Sequence, residues 1–145
     1  MTGPFDIAPV VARLKAGATS LRRVAGAAER AAAEKDAGAP TPAAYVVLAR
    51  ETPKPHSGGA GAFRQPVIAT FIVVLAVRNV RLGELGVQGN SELKTAIEEV
   101  RGALLGWQPT PESTACELAG AELSDYDAGV IWWVEAFSTT YWVTR

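Results

Sequence analysis

The sequence predicts an α+β domain, with a mixed, mainly antiparallel sheet built on a long central hairpin and packed by two or three helices. Three segments carry that prediction. The first runs from Gln65 to Asn79, where Val67, Ala69, Phe71, Val73, Leu75 and Val77 alternate with Ile68, Thr70, Ile72, Val74 and Ala76. Read as a strand, it is apolar on both faces and requires cover on both sides, from a central position in the sheet or from a subunit interface. The second, Val130 to Val143, is equally β-prone. It sets Ile131, Trp133, Phe137 and Tyr141 against Val130, Trp132, Val134, Ala136 and Trp142, with Glu135 interrupting the first set. The third places Leu93, Ala96, Ile97, Val100 and Leu104 at helical spacing.

A membrane span through the first run fails on length. The apolar stretch is well short of the ~20 residues a spanning helix needs, and Thr70 breaks it.

A chain of 145 residues fits one domain, residues 1–145, with room for a real core. Its 48% hydrophobic and 20% charged residues are those of a globular protein. The net charge of −1, without a basic stripe or acidic block, argues against a dedicated nucleic-acid binder or a solvating arm. The single cysteine, Cys116, excludes an internal disulfide framework and a multi-cysteine metal site. The single histidine, His56, excludes a histidine-based metal cluster. The opening Met-Thr-Gly-Pro-Phe-Asp lacks the charged and apolar regions of a signal peptide, so folding in a reducing cytoplasm is expected.

Taken in order, Phe5 to Leu14 predicts a short helix. Asp6 caps it, Pro9 is tolerated in its first turn, Phe5 can staple onto Val10, and Gly17 is a plausible stop. From Leu21 to Asp36 two readings stand. One is a single alanine-rich helix; the other is a strand at Leu21–Val24 followed by a helix from about Ala27, because Gly26 weakens a continuous helix. Ala39-Pro-Thr-Pro42 is a break, after which Ala44 to Glu51 predicts a second strand.

The stretch Thr52 to Ala62 has no apolar periodicity and is rich in glycine and proline. It joins the second strand to the long one, which predicts a hairpin with a mobile arm at its tip. Its glycines match no phosphate-binding motif. Gly83, Gly86 and Gly89 mark the next loop, Asn90 or Ser91 can cap the helix that follows, and Gly106 ends it. Trp107 to Thr114 is a loop, Ala115 to Leu123 an edge strand, and Ser124 to Gly129 a turn. Asp125 and Asp127 resemble the start of a calcium loop, but its glycine and terminal glutamate are misplaced or missing, so a turn is the expectation.

No catalytic constellation emerges. The chain lacks a G-x-S-x-G elbow, H-E-x-x-H, Cys-x-x-Cys and a P-loop. Cys116 would need His56 folded against it to serve as a nucleophile, and Glu98 and Glu99 have the look of surface charge. No catalytic residue, cofactor or metal is expected. What remains is more apolar strand surface, and four tryptophans, than a few helices can cover. That composition fits protein–protein contact.

Five segments in order resemble the tail terminator proteins of long-tailed, lambda-like bacteriophages. They are the Phe5–Leu14 helix with its Leu-Lys ending and Leu21-Arg-Arg-Val-Ala-Gly-Ala-Ala-Glu29. Next come the Thr41–Leu48 strand with its partner holding Gln65 and Phe71–Asn79, and the helix closing in Ala103-Leu-Leu-Gly-Trp-Gln-Pro109. The last is the strand with Gly129, Trp132, Trp133, Phe137 and Tyr141. The resemblance implies an α+β ring-forming subunit, strand then helix over Leu21–Glu34, and a homo-hexameric ring. Such a ring binds the end of the tail tube, stops addition of the major tail tube protein and meets a head-completion or neck protein. DNA would pass its lumen without sequence-specific binding, and the protein would be assembled in the host cytoplasm into the head-proximal end of the virion tail, with no membrane partner. The family has no catalytic motif to carry over.

The residues expected to contact partners are Lys54, His56 and Arg64 on the hairpin arm, with Arg50, Arg78 and Arg81 flanking it to meet neighbours or line the lumen. Two alternatives are a head–tail joining or neck connector and a small cytoplasmic enzyme using Cys116 or His56.

Overall fold

The computed structural model describes residues 2–36, 38–56, 59, 61–78 and 91–145. The described elements are α1 (Ala8–Gly17), β1 (Arg23–Ala25), α2 (Ala27–Glu34), β2 (Ala43–Pro53), β3 (Arg64–Arg78), α3 (Ser91–Leu104), β4 (Glu117–Asp127) and β5 (Val130–Thr144). The five strands form one sheet in the order β1-β2-β3-β5-β4. Only β1 runs parallel to its neighbour; β2–β3, β3–β5 and β4–β5 are antiparallel. The protein is therefore α+β with a mixed, mainly antiparallel sheet.

The two double-faced apolar runs lie side by side at its centre. β3 and β5 pair without interruption from Arg64↔Thr144 to Arg78↔Val130. One face of the sheet packs against α1 and α3, where Phe71, Val73, Leu75 and Phe137 meet Val10, Leu14, Leu93 and Val100 in the larger core. Phe71 stacks on Phe137 with ring centroids 5.7 Å apart, and Phe5 stacks on Phe71 at 6.0 Å. The other face carries a smaller cluster, where Ala33 of α2 meets Tyr45, Val74, Ala76 and Trp132. Helices thus back both faces.

Three of the helix boundaries have a local cause on the chain. The Asp6 carboxylate accepts from the Ala8 amide (2.9 Å), and proline occupies the first turn of α1. Phe5 stacks on Phe71, so its aromatic contact lies in the sheet core. Over Leu21–Glu34 the strand-then-helix reading holds: Gly26 stands between β1 and α2, its amide held by the Glu29 carboxylate (3.2 Å). At the end of α3, Gly106 takes φ +78°, the left-handed conformation that stops a helix. Its amide donates to the Cys116 carbonyl (3.0 Å), and the Cys116 amide donates to the Trp107 carbonyl (2.8 Å). The Leu-Leu-Gly-Trp-Gln-Pro stretch is thus a helix stop tied to the entry of β4. The expected loop through Gly83–Gly89, and its capping residue Asn90, lie outside the described residues.

Glu135 sits on the helix-backed face opposite Val73 and is fully buried. Arg101 of α3 grips it bidentately: Nε donates to Oε1, and the second guanidinium nitrogen to Oε2 at 3.0 Å. Trp133 Nε1 also donates to Oε2 (3.0 Å). Removing the guanidinium would strand a charge in the core. Arg101→Met is expected to cost about 2–3 kcal/mol, less than the ~3–5 of a fully buried pair because Arg101 remains partly open to water. Adding Glu135→Met should recover most of that loss. Denaturant titration of the two single variants and the double variant checks the coupling; additive effects would contradict it.

Candidate assembly surfaces

Three β-bulges sort the charged residues of this sheet. In β2 the register shifts between Leu48 and Arg50, leaving Ala49 as the extra residue. Arg50 then pairs with Thr70 on the face that carries α2, and Glu51 pairs with Ala69 on the face that carries α1 and α3. Glu51 is used there: its carboxylate accepts from the Phe5 amide (3.2 Å) and from the Tyr141 hydroxyl. This network fastens the chain before α1 to the base of the hairpin.

β4 has two such shifts, at Ala119 and Ser124. Between them they place Glu117, Glu122, Asp125 and Asp127 opposite Ser138, Val134, Trp132 and Val130, all on the α2 face. Leu118, Leu123 and Tyr126 fall opposite Phe137, Trp133 and Ile131 on the α1–α3 face. Simple alternation would have mixed the two sets. β4 ends the sheet, and all eleven of its residues are exposed, with Leu118 at 42%, Leu123 at 52% and Tyr126 at 45%.

This corrects the turn expected from Ser124. The strand continues to Asp127, and the reversal is made by Ala128 (φ +50°) and Gly129 (φ +77°), a two-residue hairpin of primed type. Asp125 and Asp127 are strand residues. With Arg30, Glu34, Ser124 and Trp132 they line a hollow of about 240 Å³. No cluster of three or more potential metal ligands occurs among the described residues.

Of the six residues expected at a partner surface, the five that are described do not form one cluster. Arg50, Lys54, His56 and Arg64 lie toward the arm end of the β2–β3 hairpin. Arg78 closes the opposite end of β3, roughly 45–48 Å from Arg64 at strand rise. Arg81 lies outside the described residues, as do residues 57, 58 and 60 of the arm.

Two of the four at the arm shape its base. His56 Nδ1 donates to the Arg64 carbonyl (3.1 Å), and its ring packs on Phe63 with centroids 4.6 Å apart. The Arg64 guanidinium lies over the Trp142 ring, 4.5 Å from its centroid. Arg50 and Lys54 are exposed. Toward this end Ile68, Thr70, Ser138 and Thr140 share the α2 face, half-exposed and outside both apolar clusters. A second hollow, of about 370 Å³, opens between Phe5, Arg64, Tyr141, Trp142 and the Thr110–Glu112 loop.

Cys116 and His56 do not meet as nucleophile and base. Cys116 is buried in the core while His56 packs on the exposed hairpin, and burial pushes the thiol up to about 11. Glu99, expected as plain surface charge, accepts from the Ser20 amide (3.2 Å) and hydroxyl, tying α3 to the link between α1 and β1.

An exposed strand edge with its charges sorted by face is a surface of the kind that protein–protein contacts use. A family model for the phage tail terminator protein matches residues 1–145. The chain belongs to that family, and so has a structural role in the phage tail as a virion component. No curated protein matches it. No helix among the described residues is long and apolar enough to cross a membrane.

The hairpin base also sets an alkaline limit. Burial, then the hydrogen bond to Glu51 and its negative charge, push the Tyr141 hydroxyl from 10.0 to about 12. Burial raises Cys116 from 9.0 to about 11. Both groups hold their protons more tightly when folded, so their contributions are complete below the unfolded values and fade as pH rises to the folded ones. Stability should therefore fall from about pH 9 to about pH 12. Tyr141→Phe should flatten the upper part of that slope, at a cost of roughly 1.5–3 kcal/mol near neutrality for a hydrogen bond to a charged group. Urea titrations across this pH range check both; an unchanged slope in the variant would rule out Tyr141 as a source.

Proposed function

We propose that this chain is a tail terminator acting by geometry, as one domain whose copies close into a hexameric ring. The ring seats on the head-proximal end of the tail tube and blocks the next tube subunit. Its other face receives a head-completion protein. DNA passes through the lumen without base recognition. The observation that carries this reading is the open β4 edge, eleven exposed residues with apolar and acidic sides, in a chain that matches the family over its whole length. The two bulges and four carboxylates of β4 blunt plain strand pairing, so recognition at this edge runs through its side chains. Arg50, paired with Thr70 near the middle of β3, and Lys54 at the arm end are the exposed cations offered to a partner, while His56 and Arg64 hold the base in shape. Arg78, at the other end of β3, belongs to a separate contact.

The test mixes the protein with polymerising tube protein and measures tube length by negative-stain microscopy, with native mass spectrometry for the ring. Capped tubes of limited length and a six-copy species are expected. A chain that stays monomeric alone and with tube protein, leaving tube length unchanged, would overturn the reading. Arg50→Glu with Lys54→Glu should weaken capping about tenfold, or roughly 1.4 kcal/mol, while leaving the ring intact.

A further inference from the structure

The near-zero net charge hides an uneven distribution. From Glu117 to Asp127 there are four carboxylates and no lysine or arginine; from Arg13 to Val24 there are four cations, Arg13, Lys15, Arg22 and Arg23, and no carboxylate. The topology carries these segments to opposite sides of the sheet. β4 is its last strand at one edge and β1 its last strand at the other, and α1 packs beside β1. Lys15 and Arg22 are exposed. Arg23 pairs with Ala43, which places it on the same α2 face as the β4 carboxylates.

We propose that the β4 edge is the docking surface for the α1–β1 side of a second copy of this chain. This deepens the ring reading above and rests on it. The acidic row of one copy faces Lys15, Arg22 and Arg23 of the next, and the row of Leu118, Leu123 and Tyr126 supplies apolar area at the same seam. Because the two surfaces differ, the contact is head-to-tail. Each copy offers one donor edge and one acceptor edge, and repetition of a single rotation gives a ring where that rotation closes. The two bulges and the charges of β4 disfavour indiscriminate strand pairing, so charge complementarity selects the partner. Arg30 is paired with Glu34 on its own helix (3.2 Å) and lines a hollow with Asp125 and Asp127; Glu117 and Glu122 lie on β4 outside that hollow and face a neighbour directly.

The experiment reverses each edge separately. Glu117→Lys/Glu122→Lys/Asp125→Lys makes both edges basic, and Lys15→Glu/Arg22→Glu/Arg23→Glu makes both acidic; five of the six positions are exposed and Arg23 is half-buried, and circular dichroism verifies the fold. By sedimentation, each variant alone should lose assembly, its apparent dissociation constant rising about a hundredfold or more through like-charge contact. An equimolar mixture should assemble again, with the two variants alternating. Wild-type assemblies should also weaken as salt rises from about 0.1 to about 1 M, where the screening length falls from about 10 to about 3 Å.

If both variants assemble as well as wild type, the ring stands but not through these edges, and the proposal falls. If both lose assembly and mixing restores nothing, the edges are not complementary to each other and it falls as well. If wild-type protein never assembles, alone or on tube protein, the ring reading itself fails first.

Discussion

The uninterrupted pairing of β3 with β5 is the constraint on which the rest of this structure depends. It joins the two strands that are apolar on both faces, and an aqueous chain can keep such strands only by covering each side. α1 and α3 close one side with the larger core, and α2 closes part of the other. The one charge admitted to the ladder's inner face, Glu135, is tolerated because Arg101 and Trp133 meet both carboxylate oxygens. A buried carboxylate without such partners would be costly or would take up a proton.

Around that ladder, single extra residues decide what each surface is made of. Ala49 turns Arg50 toward one face and Glu51 toward the other, where Glu51 holds Phe5 and Tyr141. Ala119 and Ser124 give β4 an acidic side and an apolar side. These bulges act as sorting devices. A residue's face depends on how many bulges lie between it and its neighbour, so a change in length within β2 or β4 would exchange the two surfaces beyond it.

That dependence explains what was legible in the sequence. β3, β5 and α3 show their periods directly, because burial imposes a repeat of two or of about 3.6 on apolar residues. β1 is ambiguous from sequence, since three residues acquire strand geometry only by pairing with Ala43, Ala44 and Tyr45 some twenty positions on. The Ser124–Asp127 segment is polar and looks like a turn, yet as an edge strand it can keep its carboxylates in water while β5 supplies its ladder. Arg101 and Glu135 are 34 positions apart, and neither position marks the other. The expected contact residues dispersed for the same reason: Arg64 and Arg78 are the two ends of one long strand. The acidic strand was overlooked as a surface, although its run of four carboxylates without a cation is visible in the sequence.

The network at the hairpin base has a consequence for direction. Phe5 and Tyr141 bond to Glu51, the Gly3 carbonyl lies 3.4 Å from the Tyr141 hydroxyl, and Thr144 pairs with Arg64. Both the first and the last described residues thus finish beside the arm, while the Ala128–Gly129 turn occupies the other end of the long strands. The subunit has unlike poles. A ring whose axis followed the strands would inherit that polarity and present two chemically different rims. A two-faced washer of this kind can be seated only one way round.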